Sequence, residues 1–133
     1  MISIIITSFK EPRTICSAIE VFEKSKIRGK FEVIVVAPDK ETIDSAKTLT
    51  KKYKNLRVIK DSGKGKSAAM NLVVPKAQGD IIIFSDGDVK CDENASNELI
   101  KHFKNEKVGA VTGKPISINP RDNKYGFWAY MLT

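Results

Sequence analysis

The chain has 133 residues, 41% hydrophobic and 29% charged, the balance of an ordinary globular protein, and its length suits a single domain over residues 1–133. Its apolar runs all fall short of the ~20 residues needed to cross a bilayer, which excludes a spanning segment here. The net charge of +7 suits an anionic ligand such as a phosphate, but no basic run is interleaved with aromatics, so nucleic acid is not an expected partner.

Residues 2–9 read as a first strand, a β-branched run closed by Thr7-Ser8-Phe9. Met1 leads into it without a basic leader or cleavage site, so the expected location is cytoplasmic. Glu11-Pro12 opens a helix, with proline acceptable in the first turn, and Ile15, Ala18, Ile19 and Phe22 fall on one face. Residues 31–36 form a second apolar strand, stopped by Ala37-Pro38-Asp39. A second amphipathic helix spans 41–53, with Ile43, Ala46, Leu49 and Tyr53 as its inner stripe. Residues 56–59 are a short third strand. Cys16 and Cys91 share no motif spacing and are expected as reduced thiols.

The loop 60–66 holds the dense lysine cluster Lys60-Asp61-Ser62-Gly63-Lys64-Gly65-Lys66, and a helix follows over 67–74, closed by Pro75. The loop invites a phosphate-loop reading, but that motif needs a glycine where Lys60 stands, so it fails. Lys66 at a helix start can still meet a diphosphate, or be only a surface lysine.

Residues 79–88, Gly-Asp-Ile-Ile-Ile-Phe-Ser-Asp-Gly-Asp, are the centre of the chain. Residues 81–84 read as a strand buried on both faces, the pattern of a parallel sheet. Asp86 and Asp88 close it, and Gly87 lets the two carboxylates come close. Like charges held together favour a cation between them, and a divalent ion with oxygen ligands is one occupant; a polar turn is the other reading. A helix capped by Asp92 or Asn94 follows, with Ala95, Leu99 and Phe103 facing in. Residues 108–112 read as a fifth strand and 114–124 as a loop. The aromatic closing stretch 125–133 reads as a docked helix, an interface, or a segment whose partner structure lies outside the chain.

Strands alternating with helices imply an α/β fold: a mostly parallel sheet with helices on both faces. In such a sheet the loops after the strands share one edge and converge on one ligand. Thr7, Ser8 and Phe9 follow the first strand, Asp39 the second, Asp61 and the Gly/Lys cluster the third, and the Asp pair the fourth. Together they suit a nucleotide.

The order of these motifs resembles the inverting family-2 glycosyltransferases of the GT-A fold, over the amino-terminal half or so of a typical family domain. Four segments carry it. Residues 4–11, Ile-Ile-Ile-Thr-Ser-Phe-Lys-Glu, resemble the opening strand and the turn that meets base and ribose. Thr7 and Glu11 fit, Phe9 stands where an aromatic is usual, and Lys10 replaces an Asn. Residues 31–36 resemble the second strand, which normally runs into Asp-Asp-Gly-Ser. Here Ala37 and Pro38 take the place of the Asp pair and Asp39 is displaced. Gly65-Lys66-Ser67-Ala68-Ala69-Met70-Asn71 is similar to a Gly-Lys-x-x-Ala-x-Asn segment of members that handle N-acetylglucosamine and related sugars. Residues 79–88 resemble the Gly-Asp-x-x-x-x-x-Asp-x-Asp segment.

The resemblance implies a Rossmann-like half that binds a nucleotide-diphosphate sugar, with a UDP-sugar first among donors and a sugar or lipid-linked acceptor. It implies nucleotide-sugar contacts at Thr7, Ser8, Phe9, Glu11, Asp39, Asp61, Lys66, Asn71, Asp86 and Gly87. It also implies a Mg²⁺ or Mn²⁺ ion held by Asp88 and Asp86. The family's general base is an Asp in an acidic pair beyond the strand that 108–112 resembles. After Asp88 the acidic residues are Asp92, Glu93, Glu98, Glu106 and Asp122, none in such a pair. The base is therefore expected beyond Thr133, with this chain a truncated, donor-binding piece. Downstream segments could also bring it to the cytoplasmic face of a membrane. The competing classes are a sugar-phosphate nucleotidyltransferase, which wants a glycine-rich loop where residues 7–11 have no glycine, and a non-catalytic nucleotide-sugar-binding module.

Overall fold

The computed structural model describes the chain except for Pro115, Ile118, Asn119, Leu132, Thr133 and the side chain of Tyr130. Four strands, β1 (Ile2–Thr7), β2 (Phe31–Ala37), β3 (Leu56–Lys60) and β4 (Ile81–Asp86), form one parallel sheet in the order β3-β2-β1-β4. The register sets Ile2 opposite Phe31 and Ile81, and carries Thr7 to Val36 on one side and Asp86 on the other. All four strands therefore end at the same edge.

The β-branched residues of β1 and β2 alternate between two layers because strand side chains point to opposite faces. Ile2, Ile4, Ile6, Val33, Val35 and Leu56 pack under α1 (Ile15–Lys24) and α2 (Lys40–Lys47), meeting Ile15, Ala18, Ile19, Phe22 and Ala46. Ile5, Ile34 and Val36 face the other way, against Ala69 and Val73 of α3 (Lys66–Val73). Ile4, Ile5 and Ile6 are 0% exposed. Each such side chain contributes about 1.5–3 kcal/mol by burial, more than any surface ion pair can.

A polar cluster sits within the second layer, at the amino ends of the strands. Glu32 is buried on β2. Its Oε1 accepts from the Ser3 hydroxyl at 2.7 Å and from the Gln78 N–H at 2.7 Å; its Oε2 accepts from Arg57 Nη1 at 2.9 Å. The Ser3 hydroxyl also accepts the Gly79 N–H at 2.8 Å. Three strands and the turn that delivers β4 are thus tied through one carboxylate. Burial pushes the Glu32 carboxyl up, but the bonds from Gln78, Ser3 and Arg57 outweigh it and hold it below its ordinary range.

Several predicted boundaries move. The α1 turns begin with Ile15 N–H bonded to the Glu11 carbonyl, three residues after the proline. α2 stops at Lys47, and residues 48–52 continue as tighter turns. There the hydroxyls of Thr48 and Thr50 bond back to the carbonyls of Ser45 and Lys47 and compete with helical bonding. A 3-10 turn, Val74–Lys76, carries Pro75 out of α3. α4 (Ala95–Ile100) is followed by a 3-10 turn, Lys101–Lys104, and α5 spans Lys124–Met131. Among the described residues there is no fifth strand. Residues 109–113 lie along β4 across a cavity of about 550 Å³ shared with Leu99, Ile100 and Phe103. An apolar segment becomes a strand only by pairing, and Gly109 and Gly113 weaken this one. With that edge unpaired, β4 is only half-buried and Phe84 is 47% exposed, so the expected burial on both faces is not met. The loop expected at 114–124 falls partly outside the described residues, as do the last two residues of the aromatic closing stretch. Cys16 and Cys91 are free thiols. Among the described residues no helix is long and apolar enough to cross a membrane.

Candidate functional site

A cavity of about 420 Å³ opens at the carboxyl edge of the sheet, where four loops meet. Thr7, Ser8, Phe9 and Glu11 line it from the β1 loop, Asp61 and Lys66 from the segment after β3, and Asp86 and Asp88 from the end of β4. The β1–β4 register puts Thr7 beside Asp86, and the Thr7 hydroxyl donates to Asp86 Oδ1 at 2.9 Å. Lys66 Nζ donates to the same oxygen at 2.5 Å. Burial pushes the Asp86 carboxyl up, yet the bonds from Lys66 and Thr7 outweigh it and hold it below the usual carboxylate range. Asp86 is therefore an anion at neutral pH, aimed into the cavity beside a cation.

Gly65 supplies the turn that aims Lys66. It precedes α3 with φ +97°, a left-handed conformation that costs a side chain about 1–2 kcal/mol. Gly87 is needed for a different reason. Its N–H donates to the Thr7 carbonyl at 3.0 Å, and an added Cβ would collide with the Ser8 hydroxyl and the Glu11 carboxylate. Those two groups are themselves joined, Ser8 Oγ donating to Glu11 Oε2 at 2.5 Å. Gly87 thus lets the β4 turn press against the β1 loop, so that Asp88 reaches the same cavity.

Phe9 is 61% exposed at the cavity's edge, with Lys10 Nζ 5.2 Å from its ring centre. An exposed aromatic face there is a surface on which a planar ring can stack.

Three predicted contacts do not line the cavity: Gly87, whose part is to bring the two loops together, Asp39 and Asn71. Asp39 does not line the cavity. Its Oδ2 accepts the Thr42 N–H at 3.0 Å as the cap of α2, and its Oδ1 accepts the Lys10 N–H at 2.9 Å. Lys10 has φ +57°, a left-handed backbone, so Asp39 steadies the turn that presents Phe9. Burial pushes the Asp39 carboxyl up, but the N–H bonds from Lys10 and Thr42 prevail and lower it. Asn71 is exposed on α3 and does not line the cavity either. The sequence reading held Gly63 and Gly65 only as part of the Gly/Lys cluster and missed Val36, Pro38 and Ala69; these five complete the lining. For Ala69 the signal was available: it lies three residues after Lys66, on the same helix face.

The donor set can be tested against a divalent cation. Asp86 and Asp88 are hard oxygen donors at one cavity, and Asp86 already holds the Lys66 ammonium, which a metal ion would have to displace. Among the described residues no cluster of three or more acidic, histidine or cysteine side chains could hold a metal ion. The pair therefore fits Mg²⁺ or Mn²⁺ only when phosphate oxygens and water supply the remaining ligands, as Mg²⁺ sites commonly do.

Known proteins share this architecture. The family model described as glycosyl transferase family 2 matches residues 3–129. The beta-monoglucosyldiacylglycerol synthase of Trichormus variabilis is 32% identical over 105 residues, which cover 75% of this chain and 22% of that protein. Among solved structures, the mannosyltransferase PcManGT from Pyrobaculum calidifontis, in complex with GDP-Man and Mn²⁺, aligns over 96% of this chain and 37% of its own. Its TM-score is 0.79 at 21% identity. The S. aureus TarS 1-349 complex with UDP-GlcNAc aligns over 88% of this chain and 37% of its own, with a TM-score of 0.63 at 21% identity. At these identities the two structures speak for the fold. The chain spans about a fifth of the length of the curated relatives it matches.

Proposed function

The chain belongs to glycosyl transferase family 2, and from that premise we propose that its sheet-edge cavity is the donor site of a sugar transferase that uses a nucleotide-diphosphate sugar. The observation that carries this reading is the meeting of Thr7, Lys66, Asp86 and Asp88 at one cavity, although they come from three separate loops. UDP-sugars are the first donors to examine and GDP-sugars the second, because the two solved relatives hold one of each. A lipid-linked or sugar acceptor fits a relative named beta-monoglucosyldiacylglycerol synthase.

In this reading Phe9 offers its exposed ring to the base, and Ser8 and Glu11 stand beside the ribose. Asp61 closes the cavity opposite β1. The α3 amino terminus and Lys66 receive the diphosphate, since unpaired N–H groups and an ammonium both favour phosphate oxygens. Asp88 and Asp86 would hold Mg²⁺ or Mn²⁺. A bound divalent cation supplies charge neutralisation to the departing nucleotide diphosphate. We place the general base outside these 133 residues, which span about a fifth of the length of the curated relatives, so the chain alone binds donor without turning it over.

Calorimetry with UDP, GDP and CMP, each with and without Mn²⁺, tests the reading. The expected result is nucleotide-diphosphate binding that needs the metal and is lost in Asp88→Ala. Equal binding with and without Mn²⁺ would overturn the metal role. Binding of none of the three would overturn the donor site, and robust sugar transfer by the chain alone would overturn the missing base.

A further inference from the structure

Lys66 sets an ammonium against the Asp86 carboxylate inside the cavity. Lys66 Nζ lies 2.5 Å from Asp86 Oδ1, and the Thr7 hydroxyl shares that oxygen. Both partners remain about half exposed, 56% for Lys66 and 46% for Asp86, so the pair can open without unpacking the core. Lys66 stands at the first position of α3, and the helix behind it is anchored by buried Ala69 and Val73. The side chain is free to swing while its Cα is fixed. Asp88, exposed two residues on, has no ion-pair partner among the described residues.

Resting on the donor-site reading, we infer that Lys66 is an exchangeable counter-ion that couples metal binding to nucleotide binding. A divalent ion needs Asp86, and Lys66 already neutralises it. The ion alone must displace the ammonium and gains only two carboxylates. A nucleoside diphosphate changes both sides of that balance. Its phosphate oxygens complete the ion's ligand shell and give Lys66 a new anionic partner at the head of the same helix. The ammonium passes from carboxylate to phosphate, and the carboxylate passes from ammonium to metal. Lys66 and Asp86 each keep a partner of opposite charge at both stages. The consequence is a site that discriminates against free metal and takes metal and nucleotide together.

The coupling has an unusual sign, which makes it testable. Removing the Lys66 charge should help free metal and hurt the nucleotide. The experiment is titration of Mn²⁺ alone, followed by electron paramagnetic resonance of the free ion, and then titration of UDP and GDP in saturating Mn²⁺. Wild type, Lys66→Met and Lys66→Arg are compared. Lys66→Met is expected to bind Mn²⁺ alone about three- to tenfold more tightly, the scale of one nearby charge at a half-exposed site, and to bind the nucleotide about tenfold or more weakly. Lys66→Arg keeps the charge and should stay near wild type in both. Equal or weaker Mn²⁺ binding in Lys66→Met, with nucleotide still bound by wild type, overturns the counter-ion and spares the donor site. Failure of wild type to bind either nucleotide overturns both. Unchanged near-ultraviolet circular dichroism separates these outcomes from a folding defect.

Discussion

β1 and β4 run side by side in one parallel ladder, yet every residue of β1 is buried and none of β4 is. The strands are alike in composition: Ile-Ser-Ile-Ile-Ile-Thr and Ile-Ile-Ile-Phe-Ser-Asp. What differs is company. β1 is paired on both sides and covered on both faces. β4 is paired only with β1, and a cavity of about 550 Å³ separates its other side from residues 109–113. The site's two aspartates belong to the poorly supported strand and its turn. They are held in place from β1, through Thr7 to Asp86 and through the Thr7 carbonyl to Gly87. The better-packed strand positions the chemistry that the other one carries.

The contrast is open to direct attack at register partners. Ile4 and Ile83 face each other across the β1–β4 ladder. Ile4→Ala should cost about 4 kcal/mol, near the upper end for a core truncation, because nothing around a fully enclosed isoleucine can relax to fill the gap. Ile83→Ala should cost about 2 kcal/mol or less, since that side chain is only half-buried. Urea denaturation of the two variants measures the difference. Equal costs would break the comparison and mean that β4 is as well supported as β1.

Glu32 sharpens the same comparison from the opposite end of the sheet. It joins β1, β2 and β3 to the turn that feeds β4, and Gln78 and Gly79 have few other anchors. Glu32→Ala should cost about 3 kcal/mol, because it strands Arg57 and leaves buried donors unmet. Its pH signature has a definite sign. The folded carboxyl titrates below its unfolded value of about 4.3, so its contribution is complete above that pH and is lost as pH falls through the lower folded value. The wild type should therefore lose stability more steeply than Glu32→Gln as pH falls below the unfolded value. Parallel curves for the two proteins would show that the carboxylate does not hold β4 in place.

These differences mark what could be read from the chain and what could not. The runs 2–6, 31–36 and 81–84 announce strands, because an unbroken β-branched run has few other uses in a polar chain. The site followed from them, since the loops after parallel strands share an edge. Burial of β4 was not legible, because it depends on whether another segment pairs with it, and residues 108–112 look equally able on composition. Glu32 was hidden in an apolar run; its partners Ser3, Arg57 and Gln78 lie 25 or more residues away. Asp39 was legible, but in another role. An aspartate just before a helix start is a cap first, and its bond to the Thr42 N–H is one of the two that capping uses.

The smallest effect concerns the turn that joins the firm strand to the cavity. Lys10 is the one described non-glycine residue with positive φ, at +57°. The lysine side chain gains only an exposed cation–π contact with Phe9, whereas asparagine tolerates the left-handed region and can bond locally. Lys10→Asn should therefore stabilise the fold by about 0.5 kcal/mol, while Phe9 keeps its place because the Asp39 bond to the residue-10 N–H is retained. Thermal unfolding measures the gain, and nucleotide affinity checks that the turn is unmoved. Should Lys10→Asn be neutral in stability yet weaken the nucleotide, the lysine ammonium beside Phe9 would be a ligand contact in its own right. The strained backbone at residue 10 would then serve the cavity directly, as the place where β1's rigidity is converted into a fixed position for a binding side chain.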